Sequence, residues 1–285
     1  MIRFGPAGNS ESFYDEGYTS SLQVPEYLVE KGLTAYEYQS GRGVRIGEES
    51  ATSLGKAAAE KGIEVSMHAP YYISLSGVKE STRLGSLNYI LQTAQAVDWM
   101  GGTRIIVHSG SATQITREEA LELATDTLTK AQKHLDDNGY HHIHICPETM
   151  GKLGQLGTLE EVISLCKIDE RMIPCIDFGH LNARTAGSIA TKEDYARILD
   201  YVKNELGTQR YKNFHSHFSK IEYTEQGGEV RHLTFEDTEY GPEFQPLAEL
   251  CYERNLTPVF ICESAGLQAE DAMQMRDMYQ ALKNK

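Results

Sequence analysis

Short apolar runs along the chain alternate with longer stretches whose apolar residues recur at helical spacing, and the two patterns take turns from one end to the other. The runs predict strands at 2–6, 35–38, 63–67, 104–107, 142–146, 172–176, 211–214 and 258–262. The amphipathic stretches predict helices at 25–32, 48–61, 81–99, from Thr116 to about 137, from Thr158, and at 191–206, 244–254 and 269–284. Thr116 with Glu119, and Thr158 with Glu161, have the spacing of a capping box, in which side chain and backbone satisfy each other's free donors. Eight strand-then-helix units without a linker predict an α/β fold, a (β/α)8 barrel of the TIM type, as one domain over 1–285. The connection between the seventh strand and its helix is long, and such loops inside compact domains usually carry function or are disordered.

Six runs stop on a residue able to bind metal: His68, His108, Glu148, Asp177, His215 and Glu263. His180 follows Asp177 by three positions, and His232 sits in the long seventh loop. In a (β/α)8 barrel the carboxyl ends of all strands meet at one mouth, so these residues are expected to converge there. A buried, unpaired carboxylate costs several kcal/mol, so acids in that place call for a cation. Mixed imidazole and carboxylate donors suit zinc, manganese or iron, whereas all-oxygen sets suit magnesium or calcium. Eight donors exceed the needs of one ion, and Glu148 is a plausible bridge between metals that together activate water. His217 is expected to brace its neighbours or only the loop, and His134, His141, His142 and His144 to be structural.

Composition narrows the picture. With 285 residues, 40% of them hydrophobic and 24% charged, the chain can bury one large core. Its apolar runs are too short to span a bilayer, and the amino terminus lacks the pattern of an export leader, so no membrane partner and a cytoplasmic location are expected. Five cysteines, three of them in expected strands without CxxC spacing, fit reduced core thiols. A net charge of −14 argues against indiscriminate binding to nucleic acid, although bound divalent metals would add positive charge that a residue count omits.

The motifs around His68, His108, Glu148, Asp177 with His180, His215 with Ser219 and Lys220, and Glu263, in this order and at these intervals, resemble the endonuclease IV family of apurinic/apyrimidinic endonucleases. The resemblance covers most of the chain. It implies a trinuclear zinc site that hydrolyses the phosphodiester on the 5′ side of an abasic nucleotide in double-stranded DNA; no obligate protein partner is evident in the sequence. Carried over by position, His68, His108 and Glu148 would hold one zinc, Glu148, Asp177, His215 and Glu263 a second, and His180 with His232 a third. The family has an Asp two residues before the last His; Val230 stands there, with Glu229 the nearest acid. Arg42, Tyr71 and Tyr72 match the residues that probe DNA in the family. Two other readings remain: a sugar isomerase or epimerase of the same barrel superfamily, using one metal at Glu148, Asp177, His215 and Glu263, and a metal-binding barrel that recognises its ligand without turnover.

Overall fold

The computed structural model describes residues 1–283; Asn284, at the end of the last expected helix, lies outside the described residues. The strands are β1 (Arg3–Pro6), β2 (Ala35–Gln39), β3 (Glu64–His68), β4 (Arg104–His108), β5 (His144–Glu148), β6 (Cys175–Asp177), β7 (His215–Phe218), β8 (Lys220–Thr224), β9 (Gly228–Leu233) and β10 (Val259–Cys262). All but β8 and β9 form one parallel sheet, in the order β1-β10-β7-β6-β5-β4-β3-β2. The ends of this sheet meet: Ala7 bridges Glu37 in parallel, and the Gly8 amide donates to the Glu37 carbonyl at 2.9 Å. Helices between the strands cover the outside, giving the expected (β/α)8 barrel, with β8 and β9 as an antiparallel hairpin in the seventh loop.

Local chemistry places the elements. Both expected capping boxes form, at Thr116 and Thr158, opening the helices Arg117–Asp137 and Leu159–Cys166. The sixth strand starts at Cys175 rather than 172, because Pro174 has no amide hydrogen to enter a ladder. The seventh is displaced furthest. The helix Lys192–Lys212 breaks at Gly207, next to its expected end, and then winds one more turn, so Tyr211 belongs to a helix and the strand begins at His215. Tyr211 and Phe214 are buried, but as packing for a helix end and a turn, with Phe214 edge-on to Phe260 at 6.1 Å. No helix among the described residues is long and apolar enough to cross a membrane.

The seam between β1 and β2 depends on a glycine. A Cβ at Gly5 would be driven into the Ala35 carbonyl, which is backbone and cannot swing aside. Gly5→Ala is expected to destabilise the fold by about 3 kcal/mol, the upper end of ordinary overpacking costs. Urea denaturation monitored by circular dichroism checks this; an unchanged midpoint would contradict the account of the seam.

Candidate metal centre

Side chains in a strand alternate between faces, so every second residue of each strand enters the barrel. The strands extend further towards their carboxyl ends than their apolar runs, because parallel pairing continues past them: Gln39 pairs with His68, and His108 with Glu148. That continuation carries His68, His108, Glu148 and Asp177 into the sheet. It fixes their direction more tightly than a loop could.

Glu148 is the hub. Its Oε2 lies 3.4 Å from His68 Nε2 and 3.6 Å from His108 Nε2. Its Oε1 lies 3.0 Å from His217 Nδ1 and 3.4 Å from His180 Nδ1. Asp177 Oδ2 is 3.1 Å from His180 Nδ1, and Glu263 reaches His217 Nδ1 at 3.5 Å and His232 Nδ1 at 4.0 Å. Donor atoms of four sets each lie within 4.8 Å of one another, three at the mouth (His68, His108 and Glu148; Glu148, Asp177, His217 and Glu263; His180, His232 and Glu263) and one deeper (Cys175, His215 and His217). They lie in and beneath a cleft of about 540 Å³, with Tyr71, Met150 and Lys152 on its walls.

The donors fit metal ions. His68 Nδ1 faces the Ala69 carbonyl at 2.7 Å and His180 Nδ1 faces that of Thr149 at 2.9 Å; a carbonyl only accepts, so both rings carry hydrogen on Nδ1. In the neutral tautomer His68 therefore turns a bare Nε2 towards a carboxylate. Glu148 Oε2 and Asp177 Oδ2 are buried with no hydrogen-bond partner. Lone pairs aimed at lone pairs require a cation between them, and nitrogen with oxygen donors suits zinc or manganese. Protons share that work when metal is absent. Burial opposes the charged form of His180, but Asp177, Glu148 and Glu229 outweigh it and raise its pKa to about 10. His108, where burial prevails, is lowered to about 3. Burial raises that of Glu263.

One expected ligand is displaced by two residues. His215 does not join the mouth: its Nε2 faces Glu37 Oε2 at 3.0 Å, one layer deeper in the barrel. His217 stands with Glu148, Asp177 and Glu263 instead. Because β7 begins at His215, positions 215 and 217 both point inward, and only the later one reaches the layer at the strand ends. Tyr71 stands at the cleft, stacked on His108 with centroids 5.5 Å apart. Tyr72 packs edge-on to Tyr89 at 4.8 Å, and Arg42 is exposed on the loop after β2, both outside the cleft lining.

The family model for the xylose isomerase-like TIM barrel matches residues 25–284. The chain belongs to that family. An uncharacterized protein of Methanocaldococcus jannaschii is 29% identical over 276 residues, covering 97% of this chain and 96% of its own. A probable endonuclease 4 of Malacoplasma penetrans is 28% identical over 173 residues, 54% of this chain, and the chain spans 58% of that relative's length. Among solved structures, a D-tagatose 3-epimerase-like protein superposes with a TM-score of 0.72 at 18% identity, covering 99% of this chain and 98% of that one. Endonuclease IV of Thermus thermophilus does so with 0.69 at 17%, covering 99% and 100%. At these identities the overlays establish the fold and leave the chemistry to the site.

The hairpin that carries His232 is irregular close to that residue. In the β8–β9 hairpin Glu222 pairs with Arg231 and Tyr223 with Glu229, so Val230 is an extra residue bulged out of the ladder. In a regular strand positions 229 and 232 would face opposite sides; the bulge brings both to the cleft and leaves Val230 49% exposed. Glu229 Oε2 lies 3.4 Å from His180 Nε2. Glu229 is thus the acid of this hairpin that reaches the cleft.

Two outcomes follow from this geometry. Elemental analysis after dialysis against zinc is expected to find one ion fewer in Glu229→Ala, and an unchanged count in Val230→Asp; a gain in the latter would place position 230 in the cleft. The raised pKa of His180 has a sign as well: the ring holds a proton at pH 7 and must release it to a metal, so affinity there rises with pH up to about 10. Calorimetric zinc titrations at pH 7 in two buffers of different ionisation enthalpy should register that release, and equal heats would contradict it.

Proposed function

We propose that the protein is a cytoplasmic zinc-dependent phosphodiester hydrolase that cleaves double-stranded DNA on the 5′ side of abasic sites. The observation that carries this reading is the meeting of three donor sets around the Glu148 carboxylate. A single-ion site would need only one of them. In this reading His68, His108 and Glu148 would hold one ion, Glu148, Asp177, His217 and Glu263 a second, and His180, His232 and Glu263 a third, with Glu229 beside His180 as a further donor. Ions bound there supply Lewis-acid polarisation of a phosphoryl oxygen and lower the pKa of water, with manganese able to replace zinc. Glu148, shared by two of the sets, would contribute a ligand to each of two ions. Tyr71, 58% exposed above His108, offers an aromatic face on which a base next to the abasic nucleotide can stack, and Lys152 offers a cation to the phosphate. The likeness to proteins named probable endonuclease 4 supports the same substrate class.

One observation favours a second reading, a sugar isomerase or epimerase with one metal. Glu148, Asp177, His217 and Glu263 complete a four-donor set by themselves. Carboxylates beside a single ion can move protons next to a polarised carbonyl.

Metal counting and one substrate separate the two. Purified protein is expected to hold two or three zinc ions per chain and to cut a duplex oligonucleotide bearing a single abasic site. Glu148→Gln should abolish cleavage while the circular dichroism spectrum is retained. One manganese per chain with no cleavage would favour the isomerase, and cleavage by Glu148→Gln at the wild-type rate would refute the role given to Glu148.

A further inference from the structure

We infer that Glu37, sealed inside the barrel beneath the mouth, is a positioning residue that holds the His217 ring with Nδ1 aimed at Glu148 and Glu263, and that His215 steadies Glu37 rather than binding metal. The inference rests on the metal reading of the site but not on the choice between hydrolase and isomerase.

Barrel interiors of this type are filled mainly by branched apolar side chains, and a carboxylate there costs several kcal/mol unless compensated. Glu37 is fully buried, and compensation reaches it from four residues. Ser66 Oγ donates to Oε2 at 3.0 Å and Gln39 Nε2 to Oε1 at 3.1 Å. His215 Nε2 lies 3.0 Å from Oε2, and His217 Nε2 lies 3.0 Å from Oε1. Both oxygens are thus committed inside the layer, and Glu37 belongs to none of the donor sets at the mouth.

His217 links the two layers. Its Nδ1 is 3.0 Å from Glu148 Oε1 and 3.5 Å from Glu263 Oε1, while its Nε2 turns the other way, to Glu37. The contact with Glu37 has the distance of a hydrogen bond without its alignment. A ring that gives its Nδ1 lone pair to a metal must carry its hydrogen on Nε2, and Glu37 Oε1, 3.0 Å from that nitrogen, is an acceptor that a slight turn of the ring would align. Fixing the far nitrogen of a metal-bound imidazole sets the tautomer and orientation of the near one, and loss of such a partner typically costs 10–100-fold in metal affinity. His215 sits two residues below His217 on the same face of β7, opposite Cys175, with Nε2 occupied by Glu37. Its Nδ1 is buried without a partner and it stands with Cys175 and His217 in a deeper donor set, but burial holds the Cys175 thiol in its protonated form and neither residue lines the cleft.

Cobalt(II) titration, read by visible absorption and by elemental analysis, tests this without reference to turnover. Glu37→Gln preserves shape and removes charge. It is expected to bind one ion about 10–100-fold more weakly and the others as the wild type does, with an unchanged melting temperature. His215→Gln should keep the wild-type number of ions, and His217→Gln should lose one. Wild-type affinity for every ion in Glu37→Gln would overturn the inference, as would an ion lost from His215→Gln but kept by His217→Gln. Should Glu37→Gln fail to fold, the two histidine variants decide. A wild-type protein that binds no ion sinks the metal reading and this inference together, whereas bound ions without cleavage of abasic DNA sink only the nuclease.

Discussion

The constraint on which this structure depends is the confinement of carboxylates and imidazoles within contact of one another at the closed end of a sheet. Glu148 alone is approached by four imidazoles within 3.6 Å and is almost completely buried. Removing such groups from water costs more than pairwise attraction returns unless every lone pair finds a proton or a cation. A parallel barrel is suited to that demand, because each strand delivers one inward side chain per layer and the sheet's own hydrogen bonds hold the backbone behind it. The cost is met in two ways, by imidazole protons in the metal-free chain and by ions when they bind.

The outer wall of the site obeys the same logic at a distance. Glu229 is carried by a hairpin that would be an exposed flap if it were not tied to the loop after β5. The Glu229 amide donates to the Gly151 carbonyl at 3.2 Å, and the Leu153 amide to that of Gly227 at 3.2 Å. Arg184 secures the other side of that loop through the carbonyls of Met150 and Gln155. Gly151 has to be a glycine for this arrangement, since a Cβ there would meet both the Glu229 side chain and the His180 ring. Glu229 therefore owes its position to packing between two loops rather than to a strand end.

That difference explains what was readable in the sequence. His68, His108, Glu148, Asp177 and Glu263 could be found because an apolar run breaks on each of them, and such breaks mark the mouth of a barrel. His215 and His217 could not be separated by the same signal: both face inward, and only the position at which β7 starts decides which layer each occupies. Glu37 was concealed by alternation. In the expected strand at 35–38 Glu37 lies between Tyr36 and Tyr38, and in the closed barrel the face opposite those aromatic residues is the interior. The hairpin bulge at Val230 left no mark in the residue pattern, because it is defined by how two strands pair.

The acidity of the chain and a DNA substrate are compatible for a reason that lies in the site itself. Among the described residues that line the cleft, Lys152 is the one Lys or Arg, while Glu148, Glu229 and Glu263 supply negative charge. Without metal the mouth is ill suited to a phosphodiester. Divalent ions held by the three donor sets would reverse the sign of the field there while leaving the rest of the surface negative. Attraction for a phosphate would then be confined to the one place where it can be hydrolysed, and binding to undamaged duplex along the remaining surface would be disfavoured by the same net charge of −14. Under the proposed nuclease reading, the excess of acid on the chain would restrict where DNA can dock, and metal loading would be what admits it.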